Sequence, residues 1–576
     1  MFMKSRVPRH ATRWFLLYIL SGLVGILGGL GAVLFRFGIQ GIQDFFFGLL
    51  LPFLSLDIRG HNLAIILLPA FGGLIVGPIT MRIAQETKGA GIPEVMEAVA
   101  LRKGRLKKKT GLLKIIASSI TIGSGGSAGR EGPIAQIGAT IGSLLGALFK
   151  MEPHSAKLLV VCGLSAGIAG TYNAPLGGAL FGIEILLQNI DLIRAVPVLL
   201  SSVVGAATAA MFLGEGPGFK IAASIAWEPS ELVFDLFLGL VFGLISVVWV
   251  RIFYSADKFF QKWKVRNTLK PGLGGLITGF LIMLFPSYGI MGVGYEGLDL
   301  ALAGKLTLGF LLLLGSLKFM ATCFSIGSGG SGGIFAPTLY IGGMFGGAAG
   351  LLFHWAFPTV VQEPVKYSVA GMAALFAGAT QAPLNIMVMV PEMCGDFSLL
   401  PPIMASSVSS FFVAWIFLRG SSIYTLKLQR RGLNLRMGQS FTLDVVRVEK
   451  VMTRNVQKVF SDTPLNELER LFEQYDHPGF PVEREGRLVG ILREEDLYTA
   501  LQNPKGRIRV DEIISKEFAV TYPDETLHDA LDKIEESGFP ILPVVLRGRP
   551  GQVVGVISKH DIFQAYEVDA ARLTEL

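Results

Sequence analysis

Two glycine-rich breaks constrain this chain more than any other feature of its sequence. Residues 123–133 read GSGGSAGREGP and residues 327–337 read GSGGSGGIFAP, 204 positions apart, with Gly, Ser and the closing Pro in register. A second pair supports the repeat: GLSAGIAGTYNAPL at 163–176 answers GMAALFAGATQAPL at 371–384, at an offset of 208. An acid follows nine residues after the closing Pro in each copy, Glu184 after Pro175 and Glu392 after Pro383. The chain therefore reads as two homologous halves, about 14–215 and 230–436, with a Gly-rich break before an apolar helix in each. That is the pattern of transporters whose substrate sits between repeats at mid-membrane. The residues alone leave open whether the halves run parallel or inverted.

Charge is spread unevenly enough to separate a membrane body from a soluble tail. Residues 1–440 carry 34 basic and 19 acidic residues, net +15, whereas residues 441–576 carry 17 and 25, net −8. A basic apolar body followed by an acidic tail argues against nucleic acid as a partner. The basic lead-in Lys4, Arg6, Arg9 and Arg13 precedes an uncharged run from Trp14 to Phe35, 22 residues long. This exceeds a signal-peptide core and, at about 1.5 Å per residue, crosses a bilayer, so it predicts a retained first helix. Several later apolar stretches span only 12 to 17 residues and are interrupted by Gly and Pro. They suggest helices that enter the membrane and stop partway, which is tolerated where the broken backbone is buried or lines a polar cavity. Basic clusters at Arg102–Lys109, Lys258–Arg266 and Lys427–Arg436 mark expected cytoplasmic loops and place both termini on that side. Cys162, Cys323 and Cys394 lie far apart in apolar stretches and read as core residues, not as a disulfide framework or metal site. The seven histidines form no HExxH and no visible nucleophile–base pair, so neither an enzyme nor a metal centre is expected.

Each break leads into a helix, expected to start at Gly129 and Gly333. The first N–H groups of a helix have no internal partners and carry a partial positive charge, so two such ends converging would bind an anion without a full cation beside it. Neither GxxxxGK[ST] nor a strand-bounded GxGxxG is present, which disfavours a nucleotide loop. Close helix packing accounts for Gly density but not for Ser and Pro repeated in register. Glu131, within GREGP, is an ionisable group at one such helix end: ionised it could occupy the anion site, and protonated it could vacate it. The competing reading is a helix-capping carboxylate paired with Arg130. Glu184 and Glu392 are equally suited to satisfying backbone or a loop cation.

These motifs resemble the CLC family of chloride channels and chloride/proton antiporters. KGAGIPE at 88–94 looks like the family's GSGIP signature, 129–133 is its GREGP, 333–337 is its GIFAP, and GSSIYTLKL at 420–428 supplies Tyr424, similar to a tyrosine whose hydroxyl faces the central anion. The resemblance implies an all-α polytopic membrane fold with inverted repeats and discontinuous helices, assembled as a homodimer with one pore per subunit. It implies anion contacts from Ala90, Gly91, Arg130, Gly132, Ile334, Phe335, Ala336 and Tyr424, with Glu131 as the external gate. Two positions depart from the family pattern. Ala90 stands where a serine usually donates to the central anion; a lost hydrogen bond to a charged partner weakens a site by about 1.5–3 kcal/mol. Ile185 stands where the antiporters carry an internal proton acceptor and the channels an aliphatic residue. Channel-like or loosely proton-coupled chloride transport is the expectation, with coupled chloride/proton antiport as the alternative; chloride, bromide, nitrate and fluoride remain open as the anion.

The tail holds its own repeat. HPGFPVEREGRLVGILREEDLYTAL at 477–501 echoes SGFPILPVVLRGRPGQVVGVISKHDIFQAY at 537–566, with GFP at 479–481 and 538–540 and Asp496 answering Asp561. Alternating apolar strands followed by helical runs suggest a paired α/β module resembling a tandem CBS pair, a regulatory unit that often binds adenine nucleotides. Ser558 and Asp561 meet the ribose-contacting pattern, whereas Arg493 replaces the hydroxyl residue in the first copy; one nucleotide site is expected at most, and a dimerisation module without ligand is the competing reading. The expected domains are 1–438 for the membrane body, 447–503 and 510–568 for the two CBS motifs. No resident cofactor is required, and the expected location is a bacterial inner membrane. A CBS-regulated cation transporter is the rival of another class, but the body offers no acidic ring to hold a cation.

Overall fold

The apolar stretches become helices because a backbone in lipid must satisfy its own hydrogen bonds. The structure, a computed structural model, describes residues 9–54, 57–58, 61–187, 192–214, 216, 218–219, 227–430, 446–475, 477–502, 509–515 and 517–565. Lys4, Arg6, the segment 431–438 and the expected domain ends at 503 and 568 lie outside them. The chain divides into two compact units, Met1–Arg431 and Gly432–Leu576. Among the described residues of the first unit, eight helical runs are long and apolar enough to cross a bilayer: Trp14–Leu54, Ala64–Ile83, Pro153–Tyr172, Leu192–Leu213, Pro229–Lys262, Leu308–Gly327, Phe335–Ala356 and Phe397–Leu418. Pro175–Leu187 and Pro383–Cys394 are shorter apolar helices. Large apolar side chains such as Phe237, Leu244, Phe412 and Trp415 are exposed on the outside, where the surrounding solvent is hydrocarbon. Cys162, Cys323 and Cys394 are buried free thiols, as their apolar neighbourhoods suggested.

The first helix runs from Arg9 to Gln43 and contains the uncharged run Trp14–Phe35, and the charge that follows it, Arg36, lines a polar cavity. Two expected boundaries move. The helices after the breaks begin at Glu131 and Phe335, two residues later than expected. Gly129 and Gly333 are held out of the helices by pairing with each other: each donates its N–H to the other's carbonyl, at 2.7 and 2.6 Å.

Small residues set how closely the halves' helices approach. A side chain on Gly138 would strike the Gly163 carbonyl, and one on Gly163 the Gly138 carbonyl; Gly342 and Gly371 repeat this reciprocal contact in the second half. The packing role of glycine is thus real within each half, alongside the chemistry at the breaks.

The second unit contains two α/β copies. In the first, Val459–Phe460 runs parallel to Gly479–Arg484, which pairs antiparallel with Arg487–Arg493, flanked by helices Leu465–Tyr475 and Glu494–Gln502. In the second, Ile541–Leu546 pairs antiparallel with Arg549–Ser558, beside helix Leu527–Ser537. That helix opens with a reciprocal cap between Thr526 and Asp529, which satisfies two otherwise orphaned N–H groups. Ile491 of the first copy packs with Phe539 and Ile541 of the second.

Candidate functional site

The repeated serines explain how the two breaks meet. Ser127 Oγ lies 2.9 Å from Thr322 Oγ1, and Ser331 Oγ lies 2.8 Å from Ser118 Oγ. The Ser127 N–H donates to Ser325 Oγ at 2.9 Å, and the Ser331 N–H donates to Thr121 Oγ1 at 3.2 Å. Every partner in one half is displaced by 204 from its counterpart in the other, so the contacts form a two-fold set that crosses between halves. A hydroxyl at each of these buried positions closes a hydrogen bond that would otherwise be left open, which is why Ser recurs there and Ala does not.

Two buried lysines extend the pattern. Lys114 donates to the carbonyls of Thr87 (2.9 Å) and Gly89 (2.6 Å), whereas Lys318, again 204 residues on, donates to those of Gly289 (2.9 Å), Ile290 (3.2 Å) and Gly292 (2.9 Å). Each lysine pins the loop that leads to a positive-φ glycine, Gly91 at +87° and Gly294 at +100°, from which the helices Ile92–Leu101 and Tyr295–Leu302 start. The sequence reading passed over this lysine pair, although both stand nine residues before the first Gly of a break.

Equivalent segments open on different cavities, as an inverted pair of halves would place them. Lys88, Gly89, Ala90 and Pro93 line a cavity of about 250 Å³ together with Tyr254, Asp257, Ile334, Tyr424, Lys427 and Arg430. Their counterparts Gly292 to Glu296 line a separate cavity of about 400 Å³ with Arg36, Gln40, Gln43 and Arg130. The first cavity adjoins the basic segments expected on the cytoplasmic side.

Between the cavities lies Glu131, fully buried at the amino end of Glu131–Leu148. Its Oε2 accepts the Ala336 N–H at 3.4 Å, in the first turn of Phe335–Ala356, while Oε1 has no partner. The carboxylate of one half thus sits at the helix end of the other, where the orphaned N–H groups and the helix dipole favour negative charge. Arg130 does not pair with it. That guanidinium donates to the Thr171 carbonyl at 3.3 Å and lies over the rings of Tyr295 and Tyr172, 5.2 and 6.0 Å from their centres. The Arg130–Glu131 ion pair considered as a competing reading is therefore absent.

The other expected contact residues fall around the same point. Ala90 O lies against Gly132, where any side chain would collide with it, and Gly132 also abuts Gly333. Gly91 packs on Gln136. Ile334 caps the second helix, and the ring of Phe335 stacks among Tyr172, Phe181 and Phe376 at 5.2, 6.1 and 4.5 Å. Tyr424 is buried with its hydroxyl unpartnered and lines the cavity shared with Ala90 and Ile334. It is held there by Tyr254, whose hydroxyl donates to the Ile423 carbonyl at 2.5 Å. Ile185 is buried in the continuation of helix Pro175–Gly182, away from both cavity linings.

Glu184 and Glu392 satisfy backbone, and they do so crosswise. Glu184 accepts from the N–H groups of Leu384 (3.0 Å) and Asn385 (2.7 Å); Glu392 accepts from those of Leu176 (3.0 Å) and Gly177 (2.7 Å). Each acid caps the helix that carries the other.

In the tail, Ser558 Oγ and the Ser558 N–H both donate to Asp561 Oδ2, at 2.7 and 2.8 Å. In the first copy the Arg493 guanidinium takes that place, donating to Asp496 at 2.8 and 2.7 Å and lying over the Phe539 ring.

Inverted halves, half-helices meeting end to end in the membrane and cavities approaching that point from two directions define a polytopic transport protein of the broken-helix class. Residues 72–415 match the model of the voltage gated chloride channel family, and the chain belongs to that family. Residues 448–503 and 510–568 each match the CBS domain. A putative chloride channel protein, ClcB-like, of Ralstonia nicotianae is 31% identical over 399 residues, which are 69% of this chain and 92% of the relative. The H(+)/Cl(-) exchange transporter ClcA of Yersinia pestis is 29% identical over 72% of this chain and 87% of its own. Among solved structures, a slow cyanobacterial Cl-/H+ antiporter superposes with TM-score 0.65 at 27% identity, over 72% of this chain and 97% of that one. A eukaryotic CLC transporter shares the fold over 96% of this chain and 98% of its own, with TM-score 0.65 at 20% identity.

Proposed function

We propose that the chain carries chloride across a membrane, with the anion held between the amino ends of Glu131–Leu148 and Phe335–Ala356 and with Glu131 as the gate. The observation that carries this reading is the Glu131 carboxylate seated on the Ala336 N–H, where an anion would sit. The central anion would rest near the first N–H groups at Ile334 and Phe335 and the free Tyr424 hydroxyl, with Gly91, Arg130 and Gly132 shaping the surrounding backbone. Ala90 adds no hydroxyl.

Ile185 cannot carry a proton, which supports channel-like or loosely coupled conduction. The relatives described as H+/Cl- exchangers support coupled antiport as the second reading. The division 1–438, 447–503 and 510–568, cytoplasmic termini, a homodimer and regulation through the CBS pair belong to the same proposal, with one adenine-nucleotide site at Ser558 and Asp561. Chloride efflux from proteoliposomes, followed with a pH electrode, tests it. Efflux selective for chloride over potassium is expected, and potassium efflux in its place would overturn the anion reading.

A further inference from the structure

Arg36 is the one charged residue between Trp14 and Gln43 on the first helix. It shares a helix face with Ile39, Gln40 and Gln43, at the i, i+3, i+4 and i+7 spacing that brings side chains into one row, and all four line the cavity of about 400 Å³ opposite the basic loops. Arg130 lines the same cavity from the amino end of the Glu131 helix. The geometry points to a second anion site in this mouth, formed by the Arg36 and Arg130 guanidinium groups and the amides of Gln40 and Gln43, further out than the seat of Glu131. It takes a small inorganic anion, and it rests on the reading of the chain as an anion transporter.

Like charges sharing one cavity repel and are ordinarily neutralised by a carboxylate. Among the described residues Arg36 has no such partner, and Arg130 makes no hydrogen bond to a carboxylate, although the charge of the adjacent Glu131 acts on it. Arg130 is spent on the Thr171 carbonyl and two aromatic faces, and its buried Nε has no acceptor. Arg36 feels the charge of Arg130. Asp44 and Glu296 also line the cavity but pair with neither arginine. Glu296 stands in the first turn of Tyr295–Leu302, where the helix end favours its charge, and it also acts on buried Lys318. Two guanidinium forks that no carboxylate hydrogen-bonds, with the Gln40 and Gln43 amides lining the same cavity, suit an anion, and at a mouth they raise its local concentration.

The test uses the full chain. Crystals soaked in bromide are expected to show an anomalous peak between Arg36 and Arg130 that disappears in Arg36→Gln. In reconstituted vesicles Arg36→Gln raises the half-saturating chloride by roughly three- to tenfold from the Arg36 side and leaves it unchanged from the other side, with the difference shrinking as ionic strength rises. Arg36→Lys keeps the charge and recovers most of the loss. An empty cavity in bromide crystals whose central site is occupied, or a half-saturation that Arg36→Gln leaves unaltered on both sides, overturns the site. Wild-type protein that carries no chloride at all would instead sink the transport reading, while the bromide peak still reports on the arginines alone.

Discussion

Glu131 and Phe335 hold the same place in their halves, 204 residues apart, and are chemical opposites. One brings an acid to the meeting of the helix ends; the other brings a ring that packs into an aromatic cluster. On the proposed gating, the acid's protonation state decides whether the seat is filled. As pH falls, a protonated Glu131 is then expected to lose its attraction to the helix end and leave the place to chloride, so that chloride flux rises. Glu131→Gln is expected to hold flux high and flat across pH, and a pH profile that persists in the variant would reduce Glu131 to a cap. Two neighbours are proposed to set affinity. Tyr424→Phe removes a hydroxyl that no protein group uses, so thermal stability should hold while chloride affinity falls by roughly ten- to a hundredfold, about 1.5–3 kcal/mol. Ala90→Ser adds a donor to the same inner cavity and should tighten binding by a comparable factor; calorimetric titration with chloride measures both.

At the scale of helices, the crossed contacts explain what the sequence could and could not reveal. The breaks were legible because identical residues recur at one offset, and they recur because each Ser and Gly meets its own symmetry mate's neighbourhood. Thr121 with Ser325 and Ser118 with Thr322 follow the same offset, but Ser and Thr serve equally as hydroxyl donors, so the repeat is hidden by a change of letter. Arg36 was illegible as a site residue because it comes from the first helix and has no counterpart, and its role depends on which cavity its helix borders. The acids nine residues past Pro175 and Pro383 were visible, whereas their exchange of helix ends was not, since capping partners lie 200 residues away. That exchange predicts a shared effect. Glu184→Gln and Glu392→Gln should each lower stability by about 0.5–2 kcal/mol, the ordinary range for a lost helix cap, although neither variant touches the anion seat. Thermal unfolding in detergent measures the loss, and equal stability of both variants with wild type would mean that solvent replaces the caps.

For the whole molecule, symmetry builds the site and its breaking gives it direction. The two-fold set of hydroxyl, lysine and carboxylate contacts treats the halves alike, but the cavities they open differ: Arg36 and Arg130 at one mouth, Lys88, Asp257, Lys427 and Arg430 at the other. We propose that Ile185, at the position that the family resemblance gives to an internal proton acceptor, offers no titratable relay to Glu131. With no such relay, a chloride gradient should drive few protons through the wild-type protein, and uphill proton movement would show that water in the inner cavity supplies the route. Ile185→Glu supplies a relay in the same place. Ile185 is only 2% exposed, so the new carboxyl enters largely as the neutral acid at neutral pH, because burial penalises its charged form. The substitution is therefore expected to cost stability and yet to increase protons moved per chloride, the ratio read from simultaneous chloride- and pH-electrode traces. An unchanged ratio would place the proton path elsewhere in the molecule, with Asp257, which already lines the inner cavity, as the next residue to replace.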